Sequence, residues 1–159
     1  MAAKHAIVGL GVTVQGKLAS NGSFDAKQVV ANAKHLAKFF MDHKVKLVTN
    51  GTDNHLMLID CVKSWNLGGG EVETLFDRIG ITLNKNMIAN DTRKPMDPSG
   101  VRLGTPAITT RGMKEKEMET LGNFMLSAIA KRGDEKALSA LHEDVKTFCK
   151  KFPVPGIAS

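Results

Sequence analysis

The chain has no tyrosine and a single tryptophan among 159 residues, with aromatics at 5%. A core this poor in rings must be aliphatic and methionine-filled, which eight methionines and a 42% apolar content allow. Cysteine is equally scarce: Cys61 and Cys149 stand far apart and in no metal-type spacing. That excludes a disulfide scaffold and reads as free thiols in a reducing, cytoplasmic setting. The five histidines form no HExxH or His-x-His cluster, so no metal site is expected. No apolar run approaches the roughly 20 residues of a membrane span. "AIVGLGVTV" resembles a short signal-peptide core, but two glycines interrupt it. The following "QGKLAS" offers no small-x-small cleavage pattern, so secretion is rejected. Gly9-x-Gly11 lacks the third glycine of a dinucleotide loop, and "NLGGG" lacks the Lys-Ser/Thr ending of a phosphate loop.

What is present is a formal charge of +6 and a pI near 9.4. Such a balance favours an anionic partner, but the charges are scattered over ordinary solvated faces. No interleaved aromatic-basic patch supports nucleic-acid binding.

The apolar pattern predicts the elements. Residues 6 to 18 are ambiguous between strand and helix. Asn21-Gly22-Ser23 is a turn with Asp25 in the first turn of a helix over Phe24 to His43. Val29, Ala33, Leu36, Ala37, Phe40 and Met41 form its stripe. Val45 to Thr49 and Leu56 to Ile59 read as two strand pieces joined at Asn50-Gly51. "NLGGG" reads as a flexible connector, Glu71 to Ile79 as a helix capped by Gly80, and "ITLNKN" as a strand. Residues 87 to 100 form a long irregular loop, and Val101 to Thr110 is extended. Met118, Leu121, Met125, Ala128 and Ile129 mark one further helix. Asp134 caps a last one with the stripe Leu138, Leu141, Val145 and Phe148. "FPVPG" is an extended end. The sum is an α+β, two-layer domain with a short, mostly antiparallel sheet covered by helices.

Within "SGVRLGTPAITTRG" one arginine, Arg102, stands among small and β-branched residues. A guanidinium keeps its charge, and its planar fork suits a carboxylate or phosphate in bidentate fashion. On the residues alone two readings stand: an ion pair with an acid elsewhere in the domain, or a grip on a ligand that flanking Gly100 and Gly104 allow to approach closely.

The segments "KQVVANAKHLA", "NGTDNHLMLID" and "GITLNKNMIANDTRKPMDPSGVRLGTPAITTRGM" closely resemble the C-terminal domain of serine hydroxymethyltransferase. The resemblance runs over nearly the whole chain. It implies the small C-terminal domain of a fold-type I pyridoxal-phosphate enzyme, with residues 1–20 as an interdomain segment and 21–159 as the small domain. It also implies exchange of a one-carbon unit between serine and tetrahydrofolate, giving glycine and methylenetetrahydrofolate. The position matching Arg102 clamps the substrate carboxylate, and the position matching Asn86 contacts the folate ring. On residue chemistry alone Asn86 reads as readily as a turn-capping amide. Thr52-Asp53-Asn54-His55 is characteristic of the family too, and reads as Asp and Asn side chains tying down a strand bend. The chain departs from the family pattern at Ala89, where proline is usual, in a shortened "LGGG" connector, and in the glycine-rich opening segment.

The resemblance also implies what this chain lacks. The Schiff-base lysine, the aspartate for the pyridine nitrogen, the stacking histidine and the phosphate cup belong to the family's large domain. No catalytic, cofactor-binding or metal residue is therefore expected here, and Lys85 reads as a solvated loop charge. The partner implied is the large pyridoxal-phosphate-binding domain, beside amino-acid and folate substrates. The face that meets it should be apolar, and self-association would hide it. The alternative is a freestanding, non-catalytic module that binds folate or another anion.

Overall fold

The computed structural model describes residues 26–155. The predicted elements before Ala26, including the interdomain segment 1–20, the 6–18 stretch and the Asn21–Ser23 turn, lie outside the described residues. In chain order the elements are α1 (Ala26–Asp42), β1 (Leu56–Asp60), α2 (Cys61–Trp65), α3 (Gly69–Arg78), β2 (Asn84–Asn86), β3 (Gly100–Gly104), α4 (Pro106–Thr110), α5 (Glu115–Ala130) and α6 (Glu135–Lys150). The three strands form one antiparallel sheet in the order β1-β3-β2. Helices against a small antiparallel sheet make this an α+β fold, as the apolar pattern predicts.

Strand periodicity divides the sheet into two faces. Met57 and Ile59 of β1 and Val101 and Leu103 of β3 point to one side and are essentially sealed from water. There they meet Phe76 and Val72 of α3, Phe40 of α1 and Met118 of α5 in one continuous core. The stripes of α1, α5 and α6 are buried as their 3.6-residue spacing requires, except that Phe148 is only partly buried and Met41 is 38% exposed. Met41 sits at the margin of the α1 stripe.

Most polar groups inside this core are satisfied, the buried His142 Nδ1 being an exception among the described residues. The Asn32 amide nitrogen donates to Thr109 Oγ1 and to the Met113 carbonyl, both at 2.9 Å, and its oxygen accepts from Gln28 Nε2. The Thr105 hydroxyl donates to the Val29 carbonyl at 2.7 Å. Arg111 donates to the carbonyls of Phe152 (2.6 Å) and Cys149 (3.0 Å), placing a cation at the end of α6 where the helix dipole favours one.

Several expected elements take a different form. Val45 to Thr49 is not a strand. Left-handed backbone at Lys44 and Asn50 brackets it, so it contributes a single bridge, Leu47 to Ile59. Of "ITLNKN" only Asn84–Asn86 pairs, while Ile81 and Leu83 serve the core from a loop. The extended run from Val101 ends at Gly104. Pro106 then starts α4, and the Thr109 and Thr110 hydroxyls bond back to the carbonyls of Thr105 and Pro106. Those β-branched residues read as strand, but proline at the first helical position and local hydroxyl bonds favour a turn of helix. The short α2 follows Asp60, whose carboxylate caps it by accepting from the Lys63 amide at 2.9 Å. At Thr52–His55 the bend is tied by Thr52, donating to the Leu56 carbonyl, and by Asn54, accepting from the Leu56 amide. Asp53 is not part of that tie: it is fully exposed and reaches Lys34 at 3.2 Å.

"NLGGG" is no flexible connector. Gly68 is the N-cap of α3, and its amide is taken by Glu71 three residues on. Gly69 and Gly70 are the first helical residues. The glycines serve close approach here: a Cβ on Gly69 would lie 2.2 Å from the Gly100 carbonyl oxygen.

Candidate functional site

Arg102 is the middle residue of the central strand. Its neighbours Val101 and Leu103 project into the core, so its own side chain projects to the opposite face and stays partly exposed. Antiparallel register sets Leu58 directly across from it on β1 and Asn84 on β2. Among the described residues no acid pairs with the guanidinium, so the ion-pair reading of this arginine has no partner there. The acid on the same face, Asp60, is committed to the α2 N-terminus and to Lys63, 3.3 Å away.

Asn86 pairs with Gly100 and therefore shares Arg102's face, diagonally across the two strands. Its amide nitrogen donates to the Met87 carbonyl at 2.6 Å, the turn-capping role its residue type suggests. Asn84 lies nearer to Arg102 in register than Asn86 does. Lys85 alternates to the helix side, where Glu73 accepts its amide at 3.0 Å and stands 3.9 Å from its ammonium. The face thus gathers one cation, two amides and Leu58 on a backbone opened by Gly100 and Gly104. A fork-shaped donor in that setting can take a planar carboxylate in bidentate fashion.

The loop between β2 and β3 is fixed by Asp91. Its Oδ2 accepts from the Ser99 amide (2.9 Å) and the Ile88 amide (3.3 Å), and its Oδ1 from the Ser99 hydroxyl (2.6 Å) and the Arg93 amide (3.0 Å). Desolvation pushes this carboxyl's pKa up, but the Ser99, Arg93 and Ile88 donors outweigh it and hold the group at about 2. Arg93 pairs with Asp97 to brace the far end of the loop. The Gly69 amide donates to the Pro98 carbonyl at 2.7 Å and the Cys61 amide to the Ser99 carbonyl at 2.9 Å. A Cβ on Gly100 would meet Ile88 Cγ2 at 2.4 Å, so glycine is needed where the loop re-enters the sheet. Neither Asp91 nor Gly69 stood out from composition or motif. The signal for Asp91 was its place as the acid of "AND", three residues after the apolar Ile88.

A concavity of about 600 Å³ on the outer side of α3, lined by residues including Leu67, Thr74, Arg78 and Arg132, shares no residue with this face. Its charges are internally engaged: Arg78 pairs with Glu135, and Arg132 donates to the Ile129 carbonyl at 2.9 Å. Cys61 and Cys149 are free and buried. Burial, then the neighbouring Asp60 charge, pushes the Cys61 thiol up to about 12 against a weaker hydrogen bond with the Val101 backbone. Among the described residues no cluster of three or more His, Cys, Asp or Glu could hold a metal, and no described helix is long and apolar enough to cross a membrane.

Residues 2–125 match the family model for serine hydroxymethyltransferase. The chain is 42% identical over 158 residues to serine hydroxymethyltransferase of Rhodopirellula baltica, covering 97% of this chain and 36% of that protein. It is 41% identical over 152 residues to the Acidobacterium capsulatum enzyme (96% and 35%) and 43% identical over 150 residues to the Myxococcus xanthus enzyme (94% and 36%). The chain spans about a third of the length of these relatives. The match covers both the strand that carries Arg102 and the β2–β3 loop, and the chain belongs to the serine hydroxymethyltransferase family.

Proposed function

We propose that this chain contributes the carboxylate-gripping wall of a serine hydroxymethyltransferase active site. In this reading it acts beside a large segment corresponding to the rest of its relatives' length. The observation that carries the proposal is a partly exposed guanidinium with no acid partner among the described residues, with Asn86 on the same sheet face. Arg102 takes the carboxylate of serine or glycine, and the Asn86 side chain contacts the folate ring. Fixing the carboxylate by a two-point grip orients the bond to be cleaved, which is where such a clamp has its catalytic value.

Pyridoxal phosphate, the cofactor the resemblance implies, finds no fit among the described residues. Lys85 is turned to the helix side and taken up by Glu73, so it offers no amine to the Arg102 face. Anchoring of the cofactor, and with it the reaction's electron sink, is assigned to the complementary segment, and the chain alone is inactive. That segment covers the Arg102 face, on which Leu56 and Leu58 remain partly exposed.

The test is complementation. Mixing the chain with the large segment of a relative should restore a bound-cofactor absorbance band and cleavage of serine in the presence of tetrahydrofolate. Arg102→Gln should lower kcat/KM for serine by about 100-fold or more, since two charge-assisted hydrogen bonds are lost. Restored cleavage that is indifferent to Arg102→Gln refutes the proposed grip, and absence of cleavage with the unaltered chain refutes the shared site.

A further inference from the structure

We infer that Asp91 is a positioning residue for Arg102, acting through Ser99 and the start of β3. The inference rests on the proposed use of Arg102. Thirteen residues, 87–99, separate β2 from β3, and β2 itself offers only three residues of pairing. β1 pairs with β3 along all of Gly100–Gly104, but on the other side so long a connection to so short a strand leaves the β2 edge of the entry held by three residue pairs. One carboxylate closes it. Asp91 binds Ile88 just after β2 and the backbone and hydroxyl of Ser99 just before β3, so both ends of the loop converge on one group. Ser99 is held on its other side by the Cys61 amide, at the junction of β1 and α2. Gly100 follows with no side chain to anchor it, and Arg102 comes two residues later. The guanidinium's place, given in register by both neighbouring strands, is thus braced in addition at Ser99, and Ser99 is held by Asp91.

The experiment is amide hydrogen exchange and NMR of the whole chain as Asp91→Asn, with Ser99→Ala as the milder change. Asp91→Asn should speed exchange of the protected amides between Gly100 and Gly104 by about tenfold relative to the amides of α6, the effect of losing roughly one charge-assisted hydrogen bond locally. The Arg102 Nε–Hε resonance should move with them. Ser99→Ala, which removes one of the four bonds, should act on the same residues by a smaller factor. Should Asp91→Asn fail to fold, Ser99→Ala decides by the same criterion. Acceleration by one common factor in β3 and α6, or an unmoved Arg102 side-chain resonance, overturns the inference: Asp91 would then support only overall stability. These readouts need no ligand, so their outcome is independent of Arg102→Gln in the cleavage assay, which decides the use of the guanidinium.

Discussion

Replacing Gly69 by alanine offers a sharp check on how α3 meets the strand that carries Arg102. The new methyl would stand 2.2 Å from the Gly100 carbonyl oxygen, 2.9 Å from that of Pro98 and 3.1 Å from the Gly100 carbonyl carbon. All three atoms are backbone, in a place where Gly69 and Gly100 are buried, so no flexible side chain can yield. Overpacking of this kind costs about 1–3 kcal/mol, against which alanine's better helix propensity returns at most about 1 kcal/mol. The bond from the Gly69 amide to the Pro98 carbonyl, 2.7 Å long, would also stretch. A net loss of about 2 kcal/mol lowers Tm by about 4–8 °C in a chain of this size. Gly70→Ala is the control. Its Cβ would meet the Asp97 carboxylate at 3.1 Å and Lys85 Cδ at 3.9 Å, both on side chains that can shift. It should leave Tm unchanged or raise it by a few degrees, in the range of the propensity gain. Calorimetry on the two variants checks this. If Gly69→Ala is as stable as the unaltered chain, the glycines are connector residues after all and the contact with Gly100 is not a constraint.

Asn32→Leu should lower stability by about 2 kcal/mol, because the Met113 carbonyl and Thr109 hydroxyl lose a buried donor; a urea midpoint equal to that of the unaltered chain would contradict it. Cys61 should resist alkylation at pH 8 until the chain unfolds, since its thiol is raised to about 12 and buried. Labelling followed by mass spectrometry reads this, and rapid modification of the native chain at Cys61 would refute it. The Asp91 carboxyl falls from 3.8 to about 2 on folding, so its stabilisation is complete above roughly pH 4 and disappears as pH drops through about 2. Discounted for solvent screening it amounts to ~1 kcal/mol. Urea midpoints from pH 5 to pH 2 should therefore fall more steeply for the unaltered chain than for Asp91→Asn, and parallel curves would reject that linkage.

The long stripes were legible in the sequence because helical burial writes itself at a fixed spacing: Ala33, Leu36, Phe40, Met118, Met125, Leu138 and Val145 all lie where periodicity puts them. Short elements were not. One turn of helix at Pro106–Thr110 carries three β-branched residues, and five residues cannot establish a period against that bias. "NLGGG" misled for a different reason: glycine has one signature for freedom and the same signature for tight contact, and only the position of Gly100 tells them apart. For the candidate site, Arg102 was conspicuous as a charge among small residues. Its companions were not, because Asn84 and Asp91 owe their places to strand register and loop closure, which no local pattern records.

Strand β3 serves the interior with Val101 and Leu103 and the open face with Arg102, so its two duties are interleaved residue by residue. Parity then becomes a constraint in its own right. Removing or adding one residue inside Gly100–Gly104 would turn a cation inward and an aliphatic side chain outward, reversing both duties at once. Substitutions at Val101, Arg102 or Leu103 change one duty at a time, whereas an odd change in length exchanges both. A change in length therefore belongs in the connection before Ser99 if both faces of the strand are to keep their roles.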